Sequence, residues 1–102
     1  MTDLIAQVVR EITRAQQVIL FGSRVTGNER SDSDYDVLVV LADRVGQKER
    51  LRLASRCRRR LAQEGIDADV LVKSPQEIRD YGDKRGSIVH EALSTGRMCE
   101  QP

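Results

Sequence analysis

Two short, unbroken apolar runs, Val18-Ile19-Leu20-Phe21 and Val37-Leu38-Val39-Val40-Leu41, do most to limit the folds open to this chain. A strand that shows one face to water alternates apolar with polar residues, whereas runs without alternation suit strands covered on both faces. Gly22-Ser23 stops the first run, and the polar stretch Gly27-Asn28 through Ser33 precedes the second, which belongs to a strand over 34–41. The cover must come from helices, and the flanking sequence has helical periodicity. Leu4, Ile5, Val8, Val9 and Ile12 recur at three- and four-residue steps, predicting a helix from Asp3 to about Gln16 with Asp3 accepting from its first-turn amides. Leu51, Ala54, Cys57 and Leu61 predict another over 47–63, with Gly65 at its stop.

A third strand is expected over 66–72, where Asp67 and Asp69 alternate with Ile66, Ala68 and Val70. Ser74-Pro75-Gln76-Glu77 combines an N-cap serine, a first-turn proline and an N3 glutamate, the signature of a reciprocal capping box. A last helix over 87–95 would bury Ile88, Val89, Ala92 and Leu93 and end at Gly96. The fold class is therefore α/β: a small mixed sheet of three to four strands packed with helices. At 102 residues the chain fits a single domain, 1–102, with no room for a second. Aromatics are 3% of the residues, so the core must be aliphatic and small, and stability gains from a partner that adds burial. Phe21 and Tyr81 are expected in that core.

No apolar run approaches the roughly 20 residues needed to cross a bilayer, and the start of the chain reads as an amphipathic helix, so the expected location is the cytoplasm, with no membrane partner. Cys57 and Cys99 lack metal-ligand spacing and are read as small hydrophobes, and the lone histidine, His90, is expected at the surface without a catalytic role. The net charge of +1 argues against a dedicated nucleic-acid binder, but its distribution is uneven. Eight bases against Glu49 alone give the segment from Arg44 to Arg60 a charge of +7, leaving −6 on the remainder. The simplest reading is a solvated helix face; the alternative is a docking surface for an acidic partner or RNA.

The chemistry concentrates between Gly22 and Val37. Glycine at the end of a buried strand lets the backbone turn sharply and approach a ligand, and the amides that follow can face an anion such as a phosphate. Asp34 and Asp36, two apart on one strand, leave the same face and can share a cation. Hard oxygen ligands of this kind suit Mg2+. Asp69 can add a third carboxylate if its strand lies beside the second, with Asp67 as its rival. An anion-binding turn facing paired carboxylates is what phosphoryl or nucleotidyl transfer requires. A calcium loop starting at Asp32 is rejected, because its sixth position would be Val37 where glycine is needed. A Walker-type phosphate loop is absent, and Ser23 has no histidine base nearby in sequence for nucleophilic catalysis.

Gly22-Ser23, ten intervening residues and Asp34-Tyr35-Asp36 resemble the signature of the minimal nucleotidyltransferases (MNT), the smallest members of the DNA polymerase beta-like nucleotidyltransferase superfamily. Asp69 within Asp67-Ala68-Asp69-Val70-Leu71-Val72, and Gly86-Ser87-Ile88-Val89-His90-Glu91-Ala92-Leu93 followed by Gly96-Arg97, are similar to later segments of that family, so the resemblance covers almost the whole chain. It implies that Gly22 and Ser23 hold a triphosphate, with Arg24 beside it. It further implies that Asp34 and Asp36 bind two Mg2+ ions, and that Asp69 completes a metal site and helps activate the acceptor hydroxyl. Tyr35 departs from the aliphatic residue usual there, where its ring would add packing. Many family members of this size are antitoxins encoded beside a HEPN-type toxin ribonuclease, and some transfer AMP from ATP to a toxin tyrosine. The resemblance thus implies an ATP-using, Mg2+-dependent nucleotidyltransferase that acts on a HEPN-type toxin within an oligomeric complex. The alternatives are an antitoxin acting by binding alone, or adenylylation of a small molecule or RNA end.

Overall fold

The first helix ends earlier than its apolar spacing suggests, and the cause is local. In the computed structural model, which describes residues 2–22, 35–82 and 84–98, α1 spans Thr2–Ile12 and buries Ile5, Ala6, Val8 and Val9. Both the amide and the hydroxyl of the buried Thr13 donate to the Val9 carbonyl, at 2.8 and 2.9 Å. The amide of Ala42 donates to the Arg14 carbonyl, which draws the chain into the sheet. Ala15 and Gln16 therefore belong to the strand β1, Ala15–Phe21. Asp3 lies inside the first turn, where the positive end of the helix dipole favours its negative charge.

The sheet has the order β3-β2-β1-β4, with β2 at Tyr35–Leu41, β3 at Ala68–Lys73 and β4 at Arg97–Met98. β1 runs antiparallel to both β2 and β4, whereas β2 and β3 are parallel, joined by a crossover through the helix α2, Gln47–Gln63. The sheet is thus mixed and four-stranded, within the three to four strands expected, with β4 the strand not read from the sequence. The two-residue side-chain period divides it into two faces. Val18, Leu20, Val37, Val39, Leu41, Val70 and Val72 face α1 and α2 and form the larger core with Ile5, Val8, Val9, Ala54, Cys57, Leu61 and Ile66. Ile19, Phe21, Leu38 and Val40 face the other way, against Ala92 and the half-buried Leu71 and Ile78.

On α2, Ala54, Cys57 and Leu61 are buried as expected, but Leu51 is 65% exposed. The place one turn before Ala54 on the buried stripe goes to Arg50, which lies four residues ahead of Ala54 and seven ahead of Cys57. Its guanidinium pairs with the Glu77 carboxylate at 2.9 Å and donates to the Val45 carbonyl, with both charged side chains largely shielded from solvent. Glu77 also receives Lys73 at 3.4 Å. Past α2, Gly65 takes a left-handed φ of 79° while its amide and that of Ile66 return to the Ala62 and Leu61 carbonyls, the helix stop read from the sequence.

The capping box of α3, Pro75–Tyr81, is present: the Ser74 hydroxyl accepts from the Glu77 amide, and the Glu77 carboxylate accepts from the Ser74 amide. Tyr81 is exposed, not a core residue, with the Lys84 ammonium 4.7 Å from its ring centroid. In α4, Ile88–Thr95, Val89 and Ala92 are buried, but Ile88 and Leu93 are 46% and 40% exposed. So short a helix lays one narrow stripe on the sheet, and both residues fall beside it. His90 is half-buried, its Nδ1 2.9 Å from the Gly82 carbonyl oxygen, a contact that requires the proton on Nδ1. Gly96 caps α4 with an ordinary φ of −78°. Glycine is needed there for space, since a Cβ would strike the Ala92 and Leu20 carbonyls and the Ile19 side chain.

Cys57 is fully buried, and desolvation pushes its thiol from 9.0 up to about 11, with the charge of Arg56 opposing. Below pH 9 both folded and unfolded chains hold the proton. Above it the unfolded thiol ionises first, so this contribution to stability falls until the folded thiol ionises near 11. The stability advantage of wild type over Cys57→Ala should shrink by about 2–3 kcal/mol between these limits, read from urea midpoints. A gap that stays constant with pH would contradict this.

Candidate active site

The end of the sheet at which β1 stops and β2 and β3 begin carries Gly22, Asp36 and Asp69. Phe21 is the cross-strand partner of Asp36, and Asp36 is the cross-strand partner of Asp69 on the parallel strand. Alternation along β2 and β3 puts Asp36 and Asp69 on the same face as Leu38, Val40 and Leu71, opposite α1 and α2. Adjacent strands lie about 4.8 Å apart, so Asp36 and Asp69 are neighbours on one sheet face. Asp36 is half-buried and Asp69 exposed, an arrangement with one wall of protein and one open side.

Gly22 follows β1 with a φ of 86°, a left-handed conformation that glycine adopts without strain. A Cβ at this position would overlap Oδ2 of Asp36. The turn and the carboxylate are thus packed together, and only glycine leaves the Asp36 side chain its place. Asp67, the rival of Asp69, enters through its backbone instead. Its carbonyl accepts from the Tyr35 amide at 3.0 Å, which holds the starts of β2 and β3 level and so keeps Asp36 opposite Asp69. Sequence reasoning missed this role because a backbone acceptor is common to every residue and leaves no side-chain signal. Tyr35 packs half-buried against the larger core, away from the carboxylates.

Of the residues assigned to this chemistry, the structure brings together Gly22, Asp36 and Asp69. Ser23, Arg24 and Asp34 lie outside the described residues, and among the described residues no three acidic, histidine or cysteine side chains cluster to hold a metal. Two adjacent carboxylates on one sheet face repel unless a cation lies between them. An oxygen-only donor pair of this kind, open to solvent on one side and backed by a glycine turn, fits Mg2+ with waters and substrate oxygens completing its shell.

Comparisons with known proteins bear on the family and the fold. The family described as "Polymerase beta, Nucleotidyltransferase" matches residues 4–99. No curated protein is significantly similar to the chain. Among solved structures, a toxin-antitoxin complex with AMP-PNP is similar at 22% identity and a TM-score of 0.65, covering 99% of this chain and 73% of that one. The toxin-antitoxin MntA-HepT is similar at 21% identity and a TM-score of 0.56, covering 99% and 70%. A tri-AMPylated Shewanella oneidensis HEPN toxin in complex with MNT antitoxin is similar at 20% identity and a TM-score of 0.54, covering 100% and 74%. At these identities the likeness is one of fold, but the family match spans nearly the whole sequence. The chain belongs to the polymerase beta nucleotidyltransferase family.

Proposed function

We propose that this chain is an MNT-type antitoxin that transfers AMP from ATP to a HEPN-type toxin partner in a Mg2+-dependent reaction. The observation that carries the reading is the register of Asp36 opposite Asp69 beside the left-handed Gly22 turn. The toxin-antitoxin complexes of similar fold, one with AMP-PNP and one with a tri-AMPylated toxin, support the choice of nucleotide and acceptor.

In this reading Asp34, Asp36 and Asp69 hold the metal, Gly22 and Ser23 receive the triphosphate, and Arg24 lies beside it. Magnesium, when bound, supplies charge neutralisation across the triphosphate and the facing carboxylates. Gly22 gives the triphosphate a close backbone approach, and the Asp36 carboxylate lies against that turn. The acceptor hydroxyl oxygen forms a bond to the α-phosphorus while the bond to the bridging α,β-oxygen breaks. Pyrophosphate leaves, and the hydroxyl proton passes to the exposed Asp69 carboxylate and on to water. Positioning and electrostatics account for the catalysis, as in phosphoryl transfer generally.

The test is intact-mass spectrometry of the chain purified with its co-expressed genomic neighbour and incubated with ATP and Mg2+. The expected result is an added AMP mass on the neighbour. A tight complex in which neither chain gains mass would overturn the transfer reading in favour of neutralisation by binding alone.

A further inference from the structure

Among the described residues, the densest run of like charge lies on α2, outside the candidate active site. Arg52, Arg56 and Arg59 follow one another on α2 at four- and three-residue steps, which places them about 4.5–6 Å apart along the helix axis. Arg56 and Arg59, with Arg60 and Gln63, line an open trough of about 380 Å³ against Glu11 and Ile12 at the end of α1. The acids nearby are already engaged: Arg60 takes Glu64 at 2.7 Å and Glu11 at 3.9 Å, and Arg52 takes Glu49 at 3.4 Å. Among the described residues, no carboxylate lies within ion-pair distance of the exposed Arg56, Arg58 or Arg59.

A helix face that only needs solvation mixes its charges, and like charges at these spacings destabilise a helix. From Arg50 to Gln63, α2 carries no acid of its own, and the ion pairs of Arg50, Arg52 and Arg60 leave Arg56, Arg58 and Arg59 unrelieved among the described residues. A polyanion would relieve them. A protein partner fits poorly, because protein interfaces are anchored on apolar and aromatic residues and this trough offers only a half-buried Ile12. A phosphodiester chain needs no such anchor, only guanidinium donors at repeated spacing. The trough has no aromatic ring for bases to stack on, so the phosphates alone are held, and phosphate contacts carry no sequence information.

We infer that the trough between the C-terminal halves of α1 and α2 binds nucleic acid through its phosphates. This surface lies across the sheet from Asp36 and Asp69, on the side covered by α1 and α2, so it acts separately from nucleotidyl transfer.

The test uses the full chain and a short fluorescein-labelled uridine oligonucleotide, with anisotropy measured as salt is raised. Binding should weaken linearly in log affinity against log salt, and Arg56→Gln with Arg59→Gln should lower that slope by about 1.4, since each single-strand phosphate contact carries about 0.7. Arg56→Glu with Arg59→Glu should weaken binding by about tenfold or more at low salt. Arg79→Glu with Arg85→Glu, the same charge change on exposed residues elsewhere, should leave affinity within about twofold. A thymidine oligonucleotide should bind as the RNA does, because only phosphates are held. AMP transfer by the glutamine variant should match wild type. Absence of binding at low salt, an equal loss in the Arg79/Arg85 control, or tighter binding of polyglutamate than of RNA would each overturn the inference.

Discussion

Asp36→Asn is expected to lower AMP transfer by about a thousandfold while the fold melts within a few degrees of wild type, because removing one preorganised charge from such a site costs about 10²–10³ in rate. Asparagine preserves the volume and the strand, and the half-buried position tolerates a neutral amide. In the proposed reading, what is lost is the negative charge that, with Asp69, would hold the divalent cation. Asp69→Asn should reduce transfer by about a hundredfold, a smaller loss because Asp69 is the exposed member of the pair. Both losses should fall on kcat more than on the KM for ATP, since the charges matter most as the α-phosphorus changes partners. Rates from initial velocities, with circular dichroism melts on the same samples, check this. An Asp36→Asn protein with wild-type kcat would remove Asp36 from the site.

The second large effect concerns stability. Leu38 is fully buried at the middle of β2, the strand held between β1 and β3, and its side chain belongs to the thinner of the two cores. Leu38→Ala should cost about 3 kcal/mol, within the range of about 2–5 for buried leucines. A domain of this size has only about 5–15 kcal/mol in total, so the midpoint of thermal unfolding should fall by about 12–24 °C. Leu93→Ala, at a residue 40% exposed on α4, should cost less than about 1 kcal/mol. Urea titrations of the two variants separate these outcomes, and equal losses would contradict the assignment of the core.

What could be read in advance followed from how local the determining interactions are. Ser74-Pro75-Gln76-Glu77 is complete within one helical turn, and its capping box forms as read. The unbroken runs in β1 and β2 required cover on both faces, and both have it. The pairing of Asp36 with Asp69 depended on which strands are neighbours, a long-range fact that alternation alone does not carry; the parallel β2–β3 register supplies it. Arg50 illustrates what stays hidden: apolar spacing nominated Leu51 for the buried stripe, while an ion pair to Glu77 draws Arg50 into that place. Gly96 was legible in position but not in cause, since it answers crowding by Ile19 and Leu20, not a left-handed turn. Ile88 and Leu93 were assigned to the core because a periodic pattern does not reveal how narrow a stripe a two-turn helix presents.

The most direct test of the central claim is a transfer assay with the co-purified partner and ATP labelled in parallel at the α- or the γ-phosphate. The account predicts that the α-label becomes covalently attached to the partner, that the γ-label leaves in pyrophosphate, and that attachment fails in Asp36→Asn or after chelation of divalent metal. Attachment of the γ-label, or α-label transfer that survives loss of the Asp36 carboxylate, would contradict it.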